Sequence, residues 1–248
     1  MISKSSIKDI QSLQQKKFRD QYGAFIAEGP KCVLELIESG TFPVKAVYGL
    51  SNWLNELAKA GINMPSGVVI EVSQEELMRI SGFKTPNTCL AIFSMKENKE
   101  AVSTDSLILL LDEIQDPGNL GTMIRTADWF GVTQIICTPG TADCYNPKVV
   151  QSTMASLGRV NVFYIEPEQW LKQHPDKELI CTSLQGVPFG NVKPKKNQVL
   201  VIGNEARGVS PLLLEKASRI TTIPRRGSAE SLNAAVATGI LLAHFSGI

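Results

Sequence analysis

Histidine is nearly absent. Only His174 and His244 occur in 248 residues, so a histidine-based metal site has little to be built from. The five cysteines, Cys32, Cys89, Cys137, Cys144 and Cys181, contain no Cys-x-x-Cys pair and no zinc-like grouping with histidine. Their neighbours are apolar, as in Ile135-Ile136-Cys137, which marks them as reduced core residues of a cytoplasmic protein. Long hydrophobic runs are missing too. The strongest, residues 107–111 and 234–243, fall short of the roughly 18 residues that a membrane span needs, and the N-terminus has no apolar signal core. Charge of one sign is also missing: 25 Lys and Arg against 24 Asp and Glu leave +1. That balance excludes a strongly basic nucleic-acid coat, though not an enzyme with a local basic patch. No Gly-x-x-x-x-Gly-Lys-Ser, Gly-x-Gly-x-x-Gly, Gly-x-Ser-x-Gly or His-Glu-x-x-His motif occurs, so the usual nucleotide-loop, dehydrogenase, hydrolase and zinc-peptidase readings lose their support.

What is present is a globular composition, 43% hydrophobic and 20% charged, long enough for one large domain or two modest ones. The first twenty residues read as one polar helix with a solvated basic face. Strand and helix patterns then alternate to about residue 93: strands at 24–28, 44–48, 68–72 and 90–93, with helices opened by Pro30 and capped by Ser73. This argues for a small α/β domain. Residues 95–106 are polar and without period, and the domain boundary is placed there, giving blocks 1–98 and 106–248. The second block is a cleaner alternation. Its strands are 107–111, 134–137, 162–164, 179–182, 198–202 and 220–223. Its helices are 120–130, 147–157, a short one at Trp170, 211–217 and 229–245. A continuous apolar strand such as 107–111 belongs inside a parallel sheet covered on both faces.

Ligands of open α/β sheets bind beyond the C-terminal ends of strands. Polar, glycine-rich residues collect at three such points: residues 112–121, 203–208 and 224–233. Arg125 lies six residues after Asn119 on a helix whose other face carries Ile124, Ala127 and Phe130. It suits a clamp on a phosphate or an oxygen nucleophile, although spacing alone favours a surface arginine or a helix-to-helix ion pair. Glu205 either receives hydrogen bonds from a polar substrate or ties down its loop. Asn233, four or five residues into the last helix and beside a buried face, needs a partner, structural or ligand. Ser231 can simply cap a turn.

Together these loops resemble a known set. Asn119-Leu120-Gly121-Thr122-Met123-Ile124-Arg125-Thr126-Ala127 is similar to the first motif of the SpoU/TrmH-type RNA 2′-O-ribose methyltransferases of the SPOUT superfamily. The stretch from Ile202-Gly203-Asn204-Glu205 to Gly208-Val209 resembles the second motif. Ile223-Pro224 with Gly227 and Glu230-Ser231-Leu232-Asn233 resembles the third. The similarity covers residues 106–246, in matching order and spacing. More loosely, Phe25-Ile26-Ala27-Glu28-Gly29-Pro30-Lys31 resembles the opening of the ribosomal-protein-like α/β domain that often precedes this catalytic domain and helps hold the RNA.

The resemblance implies a parallel sheet with a deep trefoil knot near the C-terminus, and a homodimer. S-adenosylmethionine would bind bent in the knot. It would be enclosed by Thr182, Ser183, Leu184 and Gly186, by Ile202, Gly203, Asn204 and Gly208, and by Ile223, Pro224, Ser231 and Leu232. Arg125, Asn119, Glu205, Ser231 and Asn233 would form the catalytic set, with Arg125 and Arg226 touching RNA. No membrane and no metal would be involved. The product would be a 2′-O-methylated ribose, with ribosomal RNA favoured over transfer RNA by the two-domain layout alone. Two departures stand out: Arg225 where the family often has an apolar residue, and Ala235 where it often has serine. A non-catalytic RNA-binding or ribosome-assembly factor on the same fold, a small-molecule enzyme and a base-modifying relative remain the rival classes.

Overall fold

The computed structural model describes residues 2–62, 64–101 and 107–247. The expected start of the second block at residue 106, and the outer limits 1 and 248, lie outside the described residues. Contacts divide the chain into two units. One contains the residues up to Glu97 together with Asp143–Arg159; the other contains Asn98–Ala142 and the residues from Val160 onward. A single cut near residue 100 therefore does not separate them. The stretch Asp143–Arg159, assigned above to the second block, packs within the first unit.

The first unit is built on a four-stranded sheet. Its strands are β1 (Ala24–Glu28), β2 (Val44–Gly49), β3 (Val69–Glu71) and β4 (Cys89–Ser94), in the order β1-β4-β2-β3. β4 runs antiparallel to both β1 and β2, while β3 joins β2 in parallel. All five residues of β1 are buried, so the strand is covered on both faces. Ala24 and Ile26 join a core with Ile7 and Ile10 of α1 (Lys4–Ser12) and Leu77 and Ile80 of α5 (Gln74–Ile80). Ser73 and Glu76 close a reciprocal capping box that starts α5. Helices α3 (Pro30–Ser39) and α7 (Pro147–Thr153) also pack on β1. The ring of Phe25 meets Phe93 and Tyr145 at centroid distances of 5.5 and 4.9 Å.

Three expectations are corrected here. The first twenty residues form two helices, α1 and α2 (Lys16–Tyr22), not one. Their basic face is not wholly solvated, because Arg19 is 1% exposed and holds Asp143 at 2.7 Å. The helix expected over 147–157 ends at Thr153. Met154 and Ala155 adopt left-handed φ of 47° and 69°, a conformation that breaks the helical ladder, before a short 3-10 turn at Ser156–Gly158. The remaining helix of this unit, α4 (Ser51–Lys59), buries Trp53 and Leu57.

The second unit is a six-stranded, all-parallel sheet. It comprises β5 (Ile108–Leu111), β6 (Gln134–Cys137), β7 (Asn161–Tyr164), β8 (Glu178–Pro188), β9 (Gln198–Ile202) and β10 (Arg219–Thr222), in the order β10-β8-β9-β5-β6-β7. The central strands β5, β6 and β9 are buried at every position, as continuous apolar runs in a two-sided sheet require. The edge strands β7 and β10 are more open. Around them lie α6 (Pro117–Trp129), α8 (Pro167–Gln173), α9 (Pro211–Glu215) and α10 (Ala234–Phe245). After β5 the chain adds β6 and β7 on one side, then places β9 and β8 on the other. The order thus reverses between β5 and β9, which makes that crevice a topological switch point.

Two further differences matter for the site. β8 extends well past residue 182, and its pairing with β10 is broken. Ile220 sits opposite Cys181 but Thr221 sits opposite Val187, so residues 182–186 loop out. The last helix begins at Ala234, not 229. Asn233 stops it from starting earlier by accepting the N–H groups of Ala235 and Val236 at 2.9 and 3.2 Å.

Candidate active site

The loop after β5 is fixed by Asp112. Its buried carboxylate accepts the Thr138 hydroxyl at 3.0 Å and the Ser210 N–H at 2.7 Å, tying together the segments that follow β6 and β9. Glu113 takes a left-handed φ of 55°, and its N–H is held by Thr138 Oγ1 at 3.0 Å. Asp116 then caps α6 by accepting the Asn119 N–H at 2.8 Å.

The loop after β9 is a closed turn. Asn204 and Gly208 exchange backbone hydrogen bonds of 3.0 and 2.9 Å, and Gly208 supplies φ of 72°. The Asn204 side chain fills this turn. Its Oδ1 accepts the Ala206 and Arg207 N–H groups, and its Nδ2 donates to the Glu113 carbonyl at 2.8 Å. Arg207 forms an ion pair with Glu113. A Cβ on Gly203 would lie 2.2 Å from the Gly208 carbonyl carbon, so only glycine lets the chain fold back there.

Three of the five expected catalytic residues meet in one chain of hydrogen bonds. Asn233 Nδ2 donates to Asn119 Oδ1 at 2.9 Å, and Asn119 Nδ2 donates to Glu205 Oε1 at 2.8 Å. They come from three separate segments, the first turn of α6, the loop after β9 and the cap of α10, and each side chain retains capacity for a further partner. Arg125 and Ser231 do not join them. Arg125 lies nearly two turns further along α6, exposed, with no hydrogen bond or ion pair among the described residues. Ser231 is exposed on the loop before Asn233, not on a helix as expected.

The expected cofactor residues line the same end of the sheet. Ile202 closes β9, and its carbonyl accepts the Asp112 N–H at 2.9 Å. Thr182 donates to the Val201 carbonyl at 2.9 Å, and Ser183 Oγ accepts the Gln185 N–H at 3.2 Å. Gly186 passes so close to β10 that a Cβ would lie 2.8 Å from the Thr221 carbonyl carbon. Leu184 and Leu232 are 76% and 50% exposed, while Ile223 is half-buried and Pro224 exposed. Large apolar side chains left uncovered on loops rich in backbone polar groups suit the adenosyl part of S-adenosylmethionine, which needs both.

Of the departures, Arg225 bridges its own loop by donating to the Ala229 carbonyl at 3.2 Å, and Ala235 is buried against the cap. Arg226 is exposed without a partner among the described residues. Lys195 pairs with Glu178 at 3.5 Å on the surface. Burial pushes the thiol of Cys32 up to about 11 and those of Cys89 and Cys181 up to about 12, which keeps these three protonated near neutrality. Sequence reasoning gave no role to Asp112, Glu113 and Arg207, although an acidic pair directly after a buried strand marks where such a sheet places a ligand loop.

Residues 106–243 match the model of the SpoU rRNA methylase family. The chain belongs to the SpoU rRNA methylase family. It is a SpoU/TrmH-type RNA 2′-O-methyltransferase that uses S-adenosylmethionine. Residues 4–91 match an MRM3-like substrate-binding domain. Across its length the chain is 33% identical to the 23S rRNA (guanosine(2553)-2′-O)-methyltransferase RlmP of Bacillus subtilis, covering 97% of this chain and 96% of that one. An AdoMet-bound rRNA methyltransferase from Sinorhizobium meliloti superposes with a TM-score of 0.85 at 30% identity, over 99% of this chain and 96% of that one. The methyltransferase AviRb from Streptomyces viridochromogenes, in complex with AdoMet, gives 0.86 at 26%, over 98% and 97%.

Proposed function

We propose that the protein methylates a ribose 2′-hydroxyl in ribosomal RNA, with residues 112–121, 203–208 and 223–233 forming the site. The observation that carries this is the Asn233–Asn119–Glu205 chain at the switch point, assembled from all three family motifs.

Thr182, Ser183, Leu184 and Gly186, with residues 202–208 and 223–232, would hold S-adenosylmethionine, which supplies an electrophilic methyl group when bound. Asn119 and Asn233 hold Glu205 and the helix start at fixed spacing, and Glu205 orients the ribose. Arg125 has a free guanidinium fork, suited to the phosphate next to the reacting ribose and to the oxygen that gains negative charge. Arginine does not deprotonate in proteins, so the hydroxyl proton passes to the substrate phosphate, with Arg125 holding that phosphate in line. Arg226 contributes a further phosphate contact.

The trefoil knot belongs to this reading. Its support is the SpoU methylase family to which the chain belongs. A homodimer belongs to it as well. α6 and α10 pack together, and each leaves a large apolar side chain uncovered, Trp129 on α6 at 83% exposure and Val236 on α10 at 53%. Five buried free thiols suit a reducing, cytoplasmic setting.

The test is methyl transfer from labelled S-adenosylmethionine to unmodified ribosomal and transfer RNA fractions, each digested to nucleosides and weighed. A 2′-O-methyl nucleoside from the ribosomal fraction is expected, with RNA affinity that falls as salt rises. A methylated base, or product only from transfer RNA, would overturn the assignment.

A further inference from the structure

The first unit contains a cavity of about 300 Å³ that the methyl-transfer loops do not touch. Ile26, Phe83 and Pro147 give it apolar walls, and Gln14, Glu28 and Lys148 give it polar ones. Its volume is at the lower limit of small-ligand sites, enough for one flat ring system and too small for a duplex.

Two of its polar groups are left incomplete by the protein. Glu28 is 6% exposed. One carboxylate oxygen accepts the Gly82 N–H at 2.8 Å and the other accepts the Ser81 hydroxyl, so each retains a lone pair. Gln14 Nε2 is buried with no hydrogen-bond partner among the described residues. A buried amide donor without an acceptor is costly, and native proteins retain few of them. The position of that amide is protected by a glycine: a Cβ at Gly82 would lie 2.7 Å from Gln14 Nε2. The cavity therefore offers two acceptors, one unsatisfied donor and an aromatic face.

We propose that this cavity binds one unstacked guanine of the substrate RNA, with Glu28 accepting from its N1–H and N2–H groups, Gln14 donating to O6, and Phe83 stacking on the ring. Guanine alone among the four bases presents an acceptor followed by two donors along its pairing edge. Uracil has one donor between two acceptors, and adenine and cytosine present acceptors where Glu28 needs donors. Single-stranded RNA is read in this way, by splaying a base onto an aromatic side chain and hydrogen-bonding its pairing edge. The inference rests on RNA being the substrate, and it names a contact within the substrate-binding unit, separate from the ribose that is methylated.

The experiment reads binding without methyl transfer. The full chain is titrated against fluorescein-labelled UUUGUUU, UUUAUUU and UUUCUUU, with guanosine monophosphate as competitor. UUUGUUU should bind about tenfold tighter or better than the other two, since a good bidentate base contact carries discrimination of that order. Gln14→Ala and Glu28→Gln should erase the preference, and Phe83→Ala should weaken all three oligomers. Phe83 is partly exposed, so its removal tests the cavity even if Glu28→Gln folds poorly. Equal binding of the three oligomers, or a guanine preference that survives Gln14→Ala and Phe83→Ala, would overturn the proposal. Competition by the mononucleotide as strong as by UUUGUUU would also overturn it and make the cavity a free-nucleotide site. S-adenosylmethionine affinity should stay constant in every variant. Failure of the methyl-transfer reading would instead show as no labelled product from the wild-type chain, whatever the oligomers do.

Discussion

Arg19 on α2 and Arg125 on α6 are both helical arginines, and the structure treats them oppositely. The guanidinium of Arg19 is spent. Nε and Nη2 donate to Asp143 Oδ2 at 3.2 and 2.7 Å, and Nη1 donates to the Leu13 and Gln14 carbonyls at 3.0 and 2.9 Å. It ties the end of α1 and the start of the stretch Asp143–Arg159 to one point. Arg125 is exposed, with no partner among the described residues. A cation so thoroughly satisfied has a structural duty. A cation left free on a helix that also carries Asn119 is available to a substrate. Both arginines look alike in the sequence because the partner that distinguishes them, Asp143, lies 124 positions away from Arg19.

The contrast is broken most severely at Arg125. Arg125→Ala should lower methyl transfer about 10²- to 10³-fold, the range for removing one preorganised charge-stabilising donor. S-adenosylmethionine affinity and thermal midpoint should stay near wild type. Arg125→Lys should recover only part of the rate, because lysine retains the charge and loses the fork. Near-normal transfer by the alanine variant in single-turnover assays would make Arg125 a plain surface residue.

Arg19→Ala should do the reverse. It leaves Asp143 without its partner and two carbonyls without donors, at a cost of about 3–5 kcal/mol, read by urea unfolding. Transfer per folded molecule should change little. Arg19 also holds the backbone of Gln14, so guanine preference should fall along with stability. An Arg19→Ala chain as stable as the wild type would show that Asp143–Arg159 is held by its packing on β1, through α7 and through Tyr145 on Phe25.

These two positions also explain how much was legible in the sequence. Continuous apolar runs such as residues 108–111 and 199–202 mark buried parallel strands directly, because burial on both faces leaves no alternative pattern. The site loops were legible for a related reason: glycine at 203 and 208 and the polar residues around them have no role in a strand or helix. What stayed hidden depends on distant partners. Residues 147–153 carry an ordinary helix pattern, which says nothing about which sheet the helix packs on. Residues 229–232 suit a helix locally, yet α10 starts only where Asn233 turns its side chain onto the Ala235 and Val236 amides.

Asn233 gives the smallest and most discriminating test, since it acts as both cap and link. Asn233→Ala removes the cap as well as the donor to Asn119. It should cost about 1 kcal/mol of stability, the usual value for a lost N-cap. Asn233→Asp keeps an oxygen for the two amides, so the cap survives. It loses Nδ2, however, and sets an acceptor against Asn119 Oδ1, forcing the Asn119 carboxamide to turn and release Glu205. Stability of the aspartate variant should therefore match or exceed that of the alanine variant, while its transfer rate falls at least as far. If the rates instead followed stability across the two variants, Asn233 would serve only to begin α10. The Asn233–Asn119–Glu205 chain would then be a by-product of loop packing, with no part in placing the ribose.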